Sequence, residues 1–157
     1  MDDNQGPGIV APPPVLFAGT LGLGFLAQAL RPIQLLPDGL RPFRRVAGWA
    51  FTGSGVLTAA WAFTTMRRAG NQVDVSSPVA TLTTDGPYRY SRNPIYVGMT
   101  GLYLGATLLR NAGWPLVLLP ALLTAMRRGV IQREERYLET RFGESYRDYM
   151  TRVRRWL

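Results

Sequence analysis

Gly86 to Gly98 reads GPYRYSRNPIYVG, which sets three tyrosines, two arginines and two prolines directly before a long apolar run. A membrane anchor needs only a few flanking arginines or tyrosines, so this knot holds more polar chemistry than anchoring requires. It offers the rings of Tyr88, Tyr90 and Tyr96 and the amide of Asn93, with the hydroxyls of Thr81, Thr83 and Thr84 just upstream. Further along, Glu134 and Glu135 supply a carboxylate pair. Rings stack on flat ligands and carboxylates complement positive charge, so the two groups together suit an aromatic, partly cationic small molecule. Each piece also has a plainer role. Tyrosines and arginines anchor helices at interfaces, the glutamates can pair with Arg128 or Arg141 on a helix face, and the prolines can shape the start of a helix. The conjunction, not any single residue, marks a site.

The missing residue types narrow the chemistry. The chain has 157 residues with no cysteine and no histidine. Disulfides, thiolate metal sites and cysteine nucleophiles are therefore excluded, and the commonest general base and metal ligand are absent. No metal is expected. Reactivity has to rest on carboxylates, tyrosines, arginines, backbone groups or a cofactor. All 18 basic residues are arginine, the net charge is +8, 46% of residues are hydrophobic and 18% are charged. A nucleic-acid binder spreads its basic residues over a soluble face. Here they cluster at the ends of uncharged runs, which is the pattern of a membrane protein.

Four such runs must position the site. They cover residues 4–30, 46–66, 93–109 and 111–126. About 20 apolar residues cross a bilayer, and the first two runs are long enough. Either of the last two, taken singly, fits a buried core helix. Joined by the tight RNAGWP turn, they read as a hairpin dipping through the membrane, with Pro115 in a first turn and Pro120 expected to kink the second helix. The leader MDDNQ is acidic and no small-residue cleavage site follows the apolar part, so the first segment reads as retained rather than as a cleaved signal. The stretch GTLGLG has no strand before it, and its glycines, with Gly53 and Gly55, read as helix-packing positions. Beyond Met126 the spacing of Val130, Tyr137, Leu138 and Phe142 continues the last helix as a rod that stops at Gly143. A short amphipathic helix then carries Tyr146, Tyr149, Val153 and Trp156 and is expected to lie on the membrane surface.

The expected fold is all-α: a polytopic membrane protein with about four transmembrane helices and a cytosolic C-terminal helical extension. It forms one membrane-embedded domain over 1–157, with helices at about 12–30, 46–66, 93–109 and 113–141 and an amphipathic helix at 144–155. With four crossings, thirteen arginines fall on the side of the 67–92 loop and the tail, against five on the other. Positive-inside places the knot, the paired acids and the C-terminus in the cytoplasm. The hairpin makes the knot and the acids neighbours.

GPYRYSRNPIYVG followed by EERYLETRFGESYRDYMTRVRRW resembles the isoprenylcysteine carboxyl methyltransferase and phospholipid methyltransferase family of integral membrane enzymes, over Ala80 to Trp156. The resemblance implies methyl transfer from S-adenosylmethionine, held in a cytosol-facing pocket roofed by the loop and the C-terminal helices, to a lipophilic or small acceptor that enters from the bilayer. Carried over by position, the cofactor contacts fall on Leu82, Thr83, Tyr88, Asn93, Pro94, Ile95, Tyr96 and Glu134. Many members have histidine where this chain has Asn93. Members that methylate prenylcysteine carry an arginine where this chain has Val130, which argues against an acceptor with a free carboxylate. Acceptor specificity is expected from a membrane-facing groove between the first three helices. The other readings are a phospholipid or small-thiol methyltransferase on the same scaffold, and a non-enzymatic membrane adaptor that holds anionic lipids. A membrane protein that binds nucleic acid is disfavoured, because acidic residues interleave the tail arginines.

Overall fold

The computed structural model describes residues 11–71 and 79–157, and every regular element within them is helical. The acidic leader and the middle of the 67–92 loop lie outside these residues. The helices are α1 (Pro13–Leu30), α2 (Arg41–Arg68), α3 (Pro94–Leu109), α4 (Gly113–Met126), α5 (Gln132–Phe142) and α6 (Glu144–Arg152). Short 3-10 turns at Asp38–Leu40 and Gly86–Arg89 lead into α2 and towards α3. A π-helical turn, Arg127–Ile131, joins α4 and α5 into one rod. By length and apolar composition, three segments can cross a membrane: Pro13–Leu30, Asp38–Arg68 and Gly113–Phe142. α3 is apolar but shorter. The chain is thus an all-helical, polytopic membrane protein.

α2 starts at Arg41, earlier than the uncharged run that begins at residue 46, and the reason is chemical. Pro42 occupies its first turn, where a missing N–H costs little. Arg44 is buried and turns inward, and its Nη1 donates to the carbonyls of Leu108 and Leu109, the latter at 2.7 Å. Both carbonyls lie at the negative end of α3, where the helix itself supplies few donors, and Leu108 O also accepts from Asn111 N at 3.0 Å. A charge that reads as loop is therefore a helix-to-helix fastener. Arg44→Met should cost roughly 2 kcal/mol, seen as a lower unfolding temperature in detergent, whereas the exposed neighbour Arg45→Met should leave that temperature unchanged.

α2 and α3 lie backbone to backbone. A Cβ on Gly55 would come within 2.7 Å of the Gly98 carbonyl, and one on Gly98 within 2.7 Å of the Gly55 carbonyl. One turn pair further along, a Cβ on Gly105 would lie 2.9 Å from the Gly48 carbonyl. α1 meets α4 through Gly24, which abuts Pro115. Only part of the glycine pattern packs in this way, because a Cβ at Gly19, Gly22 or Gly53 would meet nothing within 4 Å.

The core gathers Phe17, Tyr96, Tyr103, Leu122, Met126, Val130 and Ile131. Phe17 meets Tyr103 edge-on, with ring centroids 6.3 Å apart. The buried Tyr103 hydroxyl donates to the Pro115 carbonyl at 2.8 Å, so its polar end is satisfied. At one end of the bundle the 31–36 loop docks on the α3–α4 turn. Gly113 N donates to Ile33 O at 2.8 Å, and the Asn111 amide bonds both the N–H and the carbonyl of Leu36. Connectivity places the tyrosine knot and Glu134 at the opposite end.

Candidate functional site

The knot is built by local rules. Asp85 is extended, Gly86 takes φ 59 and opens the 3-10 turn, and Pro87 follows it in the turn that buries Tyr88. Asn93 precedes a proline and keeps out of the helical region at φ −130, and Pro94 opens α3. The exposed pair Arg89–Asp85, at 2.8 Å, is a surface ion pair of little energetic weight.

Four segments converge here. The Tyr96 hydroxyl donates to Glu134 Oε1 at 2.7 Å, joining the first turn of α3 to α5. The Tyr149 hydroxyl donates to the Tyr88 carbonyl at 2.7 Å, so α6 closes over the knot. Val79 N donates to the Tyr137 hydroxyl at 3.2 Å, tying the 79–83 segment to α5 one turn past Glu134. Asn71, at the end of α2, uses its whole amide on that segment. Its Nδ2 donates to Thr81 O and Thr83 Oγ1 at 2.7 and 2.9 Å, and its Oδ1 accepts from Ala80 N and Thr81 N at 2.9 and 3.0 Å.

Of the residues read from sequence, Tyr96 and Glu134 touch, and Tyr88 lies close enough to Glu134 to feel its charge. Pro94 is buried and Ile95 packs on the core. Leu82 and Thr83 are half-buried on the segment that Asn71 holds. Asn93 is buried, but its Nδ2 donates to Arg155 O at 2.9 Å and its backbone N–H to Ser91 Oγ at 3.1 Å. The neighbouring acids separate. Glu135 turns to Arg155 and Arg92, not to Arg128 or Arg141.

α5 packs six charged residues into eleven and lies beyond the apolar, membrane-crossing part of its rod. Burial pushes the Glu134 carboxyl up to about 7, against the Tyr96 hydrogen bond, which lowers it, and with a further upward push from Glu135. Burial also raises the Tyr88 hydroxyl, with Tyr149 and Glu134 adding to it. The ring of Tyr88, the hydroxyl of Tyr96 and a carboxylate poised near neutrality form a donor–acceptor set suited to a cationic aromatic ligand.

A groove of about 680 Å³ lies along the other face of α3. Val97, Gly101 and Leu104 line it on α3, and Phe51 and Trp61 on α2, while Leu123 and the tail residues Trp156 and Leu157 close it. It reaches Pro94 at the start of α3, and none of its described lining residues has a charged side chain. The expectation of a groove among the first three helices is corrected here, since α1 contributes nothing to it. The amphipathic tail is corrected too. α6 ends at Arg152, its buried tyrosines face the knot, and Trp156 sits on an extended segment. Asn71 escaped the sequence reading because its partners, 9 to 12 residues further on, follow no helical or strand spacing. Trp156 reads as part of the last helix because nothing local announces the extended Val153 before it.

An uncharacterized protein of Haemophilus influenzae is 63% identical over 27 residues, which are 17% of this chain and 43% of that protein, so the chain spans less than half of that relative's length. No solved structure matches. The phospholipid methyltransferase family profile matches residues 43–145. That span runs from the start of α2 through the knot, Glu134 and α5 into α6, and the chain therefore belongs to the phospholipid methyltransferase family of membrane methyltransferases.

Proposed function

We propose that the chain transfers a methyl group from S-adenosylmethionine to a lipophilic or small acceptor at the cytosolic membrane face, on a scaffold like that of the isoprenylcysteine carboxyl methyltransferases. The observation that carries this reading is the 2.7 Å bond from Tyr96 to Glu134, which unites the two motifs at one end of the bundle. Leu82, Thr83, Tyr88, Asn93, Pro94, Ile95, Tyr96 and Glu134 would hold the cofactor. The fit is chemical: Glu134 provides acceptor oxygens and negative charge, and Tyr88 provides a buried ring. The cofactor supplies an activated sulfonium methyl. What remains for the protein is to align the acceptor and to exclude water. Tyr96 fixes the Glu134 carboxylate, and α6 covers the knot through Tyr149. No histidine is needed to activate an acceptor that is already nucleophilic.

The groove supports a lipophilic acceptor, because it is largely apolar and reaches Pro94, a candidate cofactor residue. With no charged side chain among its described lining residues and with Val130 fully buried in the core, no cationic side chain described there pairs with a free carboxylate. Phospholipid amines and small lipophilic thiols or amines fit better. The arginine distribution supports a cytosolic site.

The test is transfer of a radiolabelled methyl group to a panel of phospholipid, thiol, amine and prenylcysteine acceptors, with purified protein in lipid nanodiscs. The expected result is saturable transfer to a lipophilic acceptor without a free carboxylate. Absence of saturable S-adenosylhomocysteine binding up to about 1 mM, where affinity is already as weak as roughly −4 kcal/mol, would remove the reading. A pH profile follows from Glu134. A carboxyl near 7 is mostly neutral at pH 6 and mostly ionised at pH 8. If the anion holds a cationic group, affinity rises about tenfold over that interval, and the rise disappears in Glu134→Gln.

A further inference from the structure

Glu135 follows Glu134 on α5 yet serves a different assembly. Its two oxygens take the Arg155 guanidinium in a bidentate pair, Nε at 2.9 Å and Nη2 at 2.6 Å, with Arg92 Nη1 at 3.3 Å from Oε1. The Arg92 and Glu135 side chains are only 12% and 13% exposed. The backbone beside this cluster is fastened as well. Arg92 N donates to Arg154 O at 2.9 Å, and Asn93 Nδ2 donates to Arg155 O at 2.9 Å. The chain leaves α6 in extended geometry at Val153, passes through this clamp, and then places Trp156 and Leu157 in the wall of the groove.

We propose that Glu135 and Arg155 are positioning residues that hold residues 153–157 as one wall of the groove and thereby set its width for the acceptor. The link to methyl transfer rests on the function proposed above, whereas the clamp and the wall do not. A planar guanidinium gripped by both carboxylate oxygens fixes direction as well as distance. Arg155 therefore sets where the next side chain, Trp156, points. The same clamp reaches Asn93, so one device adjoins both the groove and the candidate cofactor residues.

The natural chain has no cysteine, so Ser54→Cys and Leu157→Cys place spin labels across the groove without competing sites. With Arg155 present, the label–label distance distribution should be narrow. Arg155→Gln and Glu135→Gln should both broaden it, and Arg155→Lys, which keeps the charge but not the bidentate grip, should restore most of the narrowness. Binding of dansyl-dodecylamine, followed by energy transfer from tryptophan, should weaken about tenfold in Arg155→Gln, a change of about 1.4 kcal/mol. S-adenosylhomocysteine affinity should change less than about twofold, because Asn93 is held by the backbone carbonyl of residue 155, which the substitution keeps. An unchanged distance distribution in Arg155→Gln and Glu135→Gln overturns the proposal and leaves the methyl-transfer reading standing. Equal weakening of both ligands also overturns it, since that marks general loosening. If the wild-type chain binds no S-adenosylhomocysteine, the function falls while the distance measurement still decides the wall. Should Arg155→Gln fail to fold, Arg155→Lys and Glu135→Gln carry the same comparison.

Discussion

Glu134→Ala is expected to weaken S-adenosylhomocysteine binding by about 100-fold, close to 3 kcal/mol. Two losses combine. The carboxylate no longer meets the polar part of the ligand, and a hydrogen bond to a charged group contributes about 1.5–3 kcal/mol. The Tyr96 hydroxyl, which now donates to Glu134 at 2.7 Å, loses its acceptor in a buried position, at about 1–3 kcal/mol. The second loss also weakens the fold, so a companion variant separates the two. Tyr96→Phe keeps the carboxylate and removes only the donor, and it should weaken binding by about tenfold or less. Isothermal titration on folded, detergent-purified protein measures both. A Glu134→Ala protein with wild-type affinity would end the assignment of this residue to the cofactor.

Gly55→Val should cost more stability than Arg44→Met. At this point the α2 and α3 backbones approach so closely that a Cβ would stand 2.7 Å from the Gly98 carbonyl and 2.8 Å from the Leu102 nitrogen. Both are helix backbone, which cannot swing aside as a flexible side chain would. The helices have to separate, and the neighbouring glycine contacts separate with them. Overpacking of this kind costs about 3 kcal/mol or more. Gly19→Ala is the control, because a Cβ there meets nothing within 4 Å and alanine is the better helix former. Thermal unfolding in one detergent should show Gly55→Val poorly folded and Gly19→Ala at or above the wild type. Equal behaviour of the two variants would contradict the close α2–α3 packing.

The helices were legible because uncharged runs bounded by arginines leave little choice in a bilayer. Their finer limits were not. Arg44 looks like a loop charge until its acceptors, the last carbonyls of α3, are in view. The knot and the acids were legible as a pair of motifs, and the Tyr96–Glu134 bond unites them. Which of two adjacent glutamates meets Tyr96 and which meets Arg92 was not legible from residue types. Neighbouring helix positions differ by about 100° in direction, and the π turn at Arg127–Ile131 disturbs the phase that would carry a helical wheel from α4 into α5. The groove wall was hidden for another reason. Trp156 carries the helical spacing of Tyr146 and Tyr149, but Val153 turns the chain into an extended path before it. Glycines gave a mixed signal, since Gly24 and Gly55 mark real contacts while Gly22 and Gly53 face open space.

Direct ultraviolet cross-linking of methyl-labelled S-adenosylmethionine to the nanodisc-embedded chain, with the labelled peptides mapped by mass spectrometry, tests the central claim most directly. The expected result is saturable label, displaced by S-adenosylhomocysteine, in the peptides that carry Tyr88, Tyr96 or Glu134. Label that does not saturate, or that falls only on α1 or on the 31–36 loop at the other end of the bundle, would contradict it.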